Sequence, residues 1–129
     1  RSASRIAKYG LSGWIGIQDS PEDIAHWRKE IQRELEELGS ERNLDEGFDM
    51  CSMIWFTITD EPTDQTPNRK LSNYLVGTAD QITENLISYK KAGMNMPLLW
   101  PPFSGVPVSK TLEDLAQLND EILPQVNAN

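Results

Sequence analysis

A chain of 129 residues and 14.6 kDa is long enough for one core and too short for two, so it reads as one domain or part of one. A formal charge of −8 and a pI near 4.6 exclude a nucleic-acid backbone as partner, because that contact needs a basic face. No run approaches the roughly 18 apolar residues of a membrane span, and the single cysteine, Cys51, excludes an internal disulfide, so a cytoplasmic protein with no membrane partner is expected.

Ser2 to Tyr9 reads as the tail of a helix, with Ala3, Ile6 and Ala7 on one side and Gly10 as its stop. Gly13 to Ile17 is a short apolar run, most simply a buried parallel strand, whose two glycines suggest close approach by a neighbour or a ligand. Ser20-Pro21-Glu22-Asp23 then starts a helix: a hydroxyl cap, proline at the first helical position, and acids where the helix dipole favours them. Its apolar stripe is Ile24, Trp27, Ile31, Leu35 and Leu38, ended by Gly39.

Met50 to Ile58 is β-branched, aromatic and uncharged, which predicts a central strand. The Asp/Glu/Pro/Thr-rich stretch from Thr59 to Asn68 opens a connection, 60–73, that is expected to be a mobile loop. Thr78-Ala79-Asp80-Gln81 matches a capping box, followed by the stripe Ile82, Leu86 and Tyr89 and the stop Gly93. Asn95 to Trp100 is a third strand, with Pro97 marking its start or an edge. Ser109 or Thr111 is expected to cap a last helix with the stripe Leu112, Leu115, Leu118, Ile122 and Val126, which Pro124 ends or kinks.

Strands alternating with helices imply a parallel α/β sheet with right-handed crossovers. Three strands with helices on one face leave the other face uncovered, although parallel sheets are normally buried on both sides. Association with further copies of the chain is one expected remedy.

Sites of chemistry are sparse in this sequence. Asp60, Glu61 and Asp64 lack the spacing and the glycine of a calcium loop and read as solvated. Thr57 and Thr59 read as hydroxyls of a solvated strand end, His26 as a surface residue, and Cys51 as a buried structural thiol. No metal-ligand spacing occurs, and no catalytic residue is nominated.

The order and spacing of several segments resemble the C-terminal part of the luciferase-like monooxygenase family, flavin- or deazaflavin-dependent TIM-barrel oxidoreductases. The resemblance rests on Arg5-Ile6-Ala7-Lys8-Tyr9-Gly10 before Gly13-Trp14-Ile15-Gly16, and on Ser20-Pro21-Glu22-Asp23-Ile24. It extends through Leu75-Val76-Gly77-Thr78-Ala79-Asp80-Gln81-Ile82, Tyr89, Ala92-Gly93, Leu98-Leu99-Trp100 and Glu121-Ile122-Leu123-Pro124. Ser12 stands where the family usually has Asp, Leu11 is an added residue, Ala79 replaces Pro, and Met96-Pro97 interrupts a commonly aliphatic strand.

The fold this resemblance implies is α/β: the C-terminal part of a (β/α)8 barrel, about three parallel strands with flanking helices, forming an incomplete barrel. A whole barrel needs about 250 residues, so residues 1–129 are expected to be a single partial domain. The implied parent uses FMN or F420 on a small organic substrate. The residues expected to wall its cofactor pocket are Gly13, Gly16 and Trp100. The chain alone is expected to bind no cofactor tightly and to be inactive. The alternative is a non-enzymatic α/β interaction or ligand-binding module that self-associates through its open sheet face.

Overall fold

The computed structural model describes residues 2–64, 73–101 and 105–129. Its elements alternate as the sequence suggests: α1 (Ser2–Tyr9), β1 (Gly13–Gly16), α2 (Pro21–Glu37), β2 (Asp49–Ile58), β3 (Tyr74–Gly77), α3 (Ala79–Lys91), β4 (Met96–Trp100), α4 (Val108–Gln117) and α5 (Leu123–Ala128). A π-helical turn, Leu118–Ile122, joins the last two. The strand β3 was not anticipated. Four residues are too few for a legible alternation, and they run directly into the cap of α3.

All strand pairs are parallel, and β2 is the axis of the sheet. The N–H of Asp49 donates to Ser12 before β1, and the N–H groups of Trp55 and Thr59 donate to Asn73 and Gly77 on the β3 side. All three are odd-numbered, and backbone groups alternate sides along a strand, so β1 and β3 share one edge of β2 while β4 occupies the other. The long β2 pairs with β1 along its first half and with β3 along its second.

Asn73 fills the step between those two short strands. Its side-chain amide donates to the carbonyl of Met53 at 2.7 Å and to the carbonyl of Ile17. With only 2% of its surface exposed, it replaces the ladder bonds that neither strand is placed to make. Asn95 plays a similar part before β4, accepting from the N–H of Met50 and donating to the carbonyl of Phe48, both at 2.8 Å. Pro97 lies opposite Ser52, whose backbone faces β4. The ladder there uses Pro97's neighbours, so its missing N–H falls on the outer edge, as a proline in a strand requires.

Register divides the sheet into two faces. Met50, Ile54, Phe56 and Ile58 point toward the helices and are at most 3% exposed, packed with Ile24, Ile31 and Leu35 of α2 and Ile82, Leu86 and Tyr89 of α3. Each such side chain contributes about 2 kcal/mol by leaving water. Ile15, Ile17, Met96 and Trp100 lie on the opposite face and are 37–60% exposed. The described fold is therefore an open, parallel α/β sheet with its described helices against one face.

The helix starts agree with their sequence signals. Ser20 and Asp23 close a capping box on α2, and Thr78 and Gln81 close another on α3. A Cβ at Gly77 would meet the Gln81 amide oxygen at 2.5 Å, so the small residue before Thr78 leaves room for that box. Gly93, at φ +99, takes the left-handed step that ends α3.

The last helix departs from expectation. Its N-cap is Pro107, and neither Ser109 nor Thr111 caps it. Leu112 and Leu115 are 61% and 38% exposed, whereas Leu118, Ile122 and Val126 are buried. The π-helical turn adds a residue to the spiral just before Pro124, which has no N–H to donate, and this shifts the apolar stripe out of phase. On α4 the inward position belongs to Asp114 instead. Its carboxylate accepts from Lys110 Nζ at 2.6 Å and from the N–H of Ile58 at 3.5 Å, where β2 has outrun β4.

Candidate functional site

Parallel sheets present their loops and ligands at the C-terminal ends of their strands. Here that end carries a row of three aromatic residues. Trp55 is paired with Tyr74 across one edge of β2 and with Trp100 across the other. Residues paired in this way lie on the same face, so Tyr74, Trp55 and Trp100 cross the open side of the sheet over about 10 Å. Tyr74 and Trp55 are half-buried, and Trp100 is 37% exposed. Two residues further along β2, on the same face, the Thr57 hydroxyl meets the Tyr74 hydroxyl at 3.1 Å.

Of the three residues expected to wall a pocket, only Trp100 belongs to this row. Gly13 lies at the opposite, N-terminal end of β1, where a Cβ would meet the Asp49 carbonyl at 3.0 Å. Gly16 faces the helices, and an added Cβ would run into the Asp19 carboxylate and the Trp14 ring. Both glycines thus have a packing reason within the chain, and the fold does not bring them together with Trp100. The expected neighbours Pro102 and Phe103, and residues 65–72 of the expected mobile loop, lie outside the described residues.

Trp55 and Tyr74 were missed because the first reads as one more apolar residue of a buried strand. The second precedes the legible capping box of α3. Only the register between strands puts them beside Trp100. Thr57 reads from the sequence as a solvated hydroxyl, and its contact with Tyr74 depends on the pairing of β3 with β2.

Behind the sheet, at the end of β1, a second cluster is structural. Tyr89 of α3 donates its hydroxyl to the Asp19 carbonyl at 2.7 Å. Burial, with the charge of Asp19 adding to it, holds this phenol far above its ordinary range, so it stays a donor. Burial also raises the Asp19 carboxyl, and nearby Asp23 adds to the effect, against hydrogen bonds that include one from the Trp27 side chain. Trp14 and Trp27 pack at 6.2 Å between centroids, and the exposed His26 ring lies 5.2 Å from Trp27.

The remaining candidates are placed simply. Cys51 is 5% exposed on the open face, paired with Ile15 on one side and Met96 on the other, and burial raises its thiol. Asp60, Glu61 and Asp64 are exposed, and the Thr59 hydroxyl donates to the Glu61 carbonyl at 2.7 Å. Among the described residues, no three His, Cys, Asp or Glu side chains converge as metal ligands, and no helix is long and apolar enough to cross a membrane.

No protein-family model and no curated protein matches the chain. Solved structures do. The chain is similar to an F420-dependent secondary alcohol dehydrogenase solved in complex with an F420–acetone adduct, with a TM-score of 0.66 and 13% identity. The likeness is one of fold. It covers 96% of this chain and 45% of the dehydrogenase, so the chain spans under half the length of the structure it matches. The open parallel sheet thus corresponds to part of a larger, barrel-like chain.

Proposed function

We propose that this chain is the C-terminal share of a luciferase-like oxidoreductase that uses F420 or FMN on a small organic substrate. The observation that carries the reading is the aromatic row at the C-terminal end of an open barrel-type sheet, supported by the fold likeness to an F420-dependent enzyme. The row suits the flat ring of such a cofactor or of its substrate, which can lie against Trp55 and Trp100. The anionic tail of the cofactor is less well served. Among the described residues near the strand ends the basic side chain is Lys110, engaged with Asp114, and the first turn of α3 is filled by its own capping box.

The cofactor supplies the hydride chemistry in this reading; the chain supplies one wall that orients the ring and keeps water from it. Titrating F420 and FMN into the protein while following cofactor and tryptophan fluorescence tests this. Weak, saturable quenching that Trp100→Ala abolishes is expected. No quenching, or quenching indifferent to that substitution, would remove the reading.

A second reading is favoured by the exposure of Ile15, Ile17 and Met96 on the same face. In it the chain is a module that covers this face by self-association, without chemistry of its own.

A further inference from the structure

We infer that the row of Tyr74, Trp55 and Trp100, with the Thr57–Tyr74 hydroxyl pair beside it, binds a flat, uncharged ring that carries a carbonyl group. The inference rests on the oxidoreductase reading only in calling that ring the substrate; the site itself is built from this chain's own residues.

Three observations select the ligand. The first is shape. Register sets the three aromatic side chains side by side on one face at strand spacing, which favours a planar partner over a branched aliphatic one. The second is charge. Among the described strand residues, the charged side chain that register places on this face is Asp49, an acid at the far, N-terminal end of β2, and the chain as a whole carries −8, so an anion finds no counter-charge there.

The third is hydrogen-bond inventory. Two hydroxyls 3.1 Å apart hold two hydrogens, and one hydrogen is used between them. Whichever residue donates to the other, one hydrogen is left to point away from the pair. A carbonyl oxygen on a ring lying against Trp55 accepts it. The hydroxyls belong to adjacent strands, and Thr57 is fixed within β2, so the donor is held in place before the ligand arrives.

Acetophenone, benzoate, cyclohexyl methyl ketone and toluene form a probe set that separates these three properties. Their binding to the full chain is read by saturation-transfer NMR and by the indole resonances of Trp55 and Trp100. Acetophenone is expected to bind at least about fivefold more tightly than benzoate or the cyclohexyl ketone. Removing both hydroxyls, in Tyr74→Phe combined with Thr57→Val, is expected to weaken acetophenone about fivefold and leave toluene unchanged. The toluene control shows that the ring row survives the two substitutions.

If that double variant loses its near-UV circular dichroism, Trp100→Ala is read instead, and it should weaken acetophenone and toluene together. Equal binding of benzoate, or a folded double variant that holds acetophenone as tightly as before, would overturn the proposal. The cofactor titration runs alongside. Acetophenone selectivity without any F420 or FMN response removes the oxidoreductase reading and keeps the ring site. The opposite pattern does the reverse.

Discussion

At the scale of single residues, the buried polar groups are the sensitive points. Ser52 is fully buried on the helix side of β2, and its hydroxyl has no hydrogen-bond partner among the described residues. An unpaired buried hydroxyl opposes folding by about 1–3 kcal/mol. Ser52→Ala is therefore expected to leave stability unchanged or raise it by up to about 1 kcal/mol, because little volume is lost with the hydroxyl. A urea midpoint that falls in this variant would show that the hydroxyl has a partner.

Asp19 gives a pH dependence. Its carboxyl is raised from 3.8, chiefly by burial, so the folded protein holds this proton more tightly than the unfolded chain does. The stabilisation from that difference is complete below the ordinary value of 3.8 and is lost as pH rises through the folded value. Asp19→Asn keeps an acceptor for Trp27 and removes the titration. The variant should exceed the parent protein in melting temperature at neutral pH, and the gap should close as pH falls toward 3.8. Parallel melting curves across that range would refute the assignment.

Elements are held together here by side chains that imitate backbone. Asn73 joins β1 to the start of β3 by way of β2, and this placement brings Tyr74 beside Trp55. Asn73→Leu leaves two buried carbonyls without their donor and should cost about 2–4 kcal/mol. It should also disturb the Thr57–Tyr74 contact. The check is chemical denaturation together with the Tyr74 ring resonances; a small loss with unchanged resonances would mean that β3 is positioned by α3 alone.

The helix boundaries were legible because caps are local. Ser20 to Asp23 and Thr78 to Gln81 carry their partners three residues away, and Gly93 needs only its own backbone angle. The α4–α5 segment departs from its sequence pattern for an equally physical reason. The sequence predicts a uniform period through Leu112, Leu115, Leu118 and Ile122, but the π-helical turn before Pro124 breaks that phase, and Asp114 takes the inward position to satisfy Ile58. Local pattern does not reveal a need created by the length mismatch between β2 and β4.

For the whole molecule, the asymmetry of the sheet dominates. One face is sealed by helices, while the other shows Ile15 and Ile17 at 60% exposure and Met96 at 44%. An apolar surface of this kind favours association. With a charge of −8, copies repel one another, so the open face, where Asp49 is the charged side chain among the described strand residues, is where they can meet. Sedimentation velocity at micromolar concentration is expected to show reversible self-association that strengthens with salt, as repulsion is screened. It should be weakened by Ile17→Lys on the open face. A single monomeric boundary at all salt concentrations would count against this expectation and against the module reading with it.

The amino-acid sequence by itself determined the alternation of strands and helices, two capping boxes, most of the buried stripes of α2 and α3, and the uncovered second face. Each depends on residues a few positions apart, or on simple counting of strands and helices. Tertiary structure alone decided that Trp55, Tyr74 and Trp100 form one row, that Gly16 faces Asp19 on the helix side, and that Asn73 bridges two strands. Those facts depend on register between segments as much as 45 residues apart, as in the pairing of Cys51 with Met96. Register is set by which backbone groups meet and which faces are buried, and a linear pattern of residue types does not encode it.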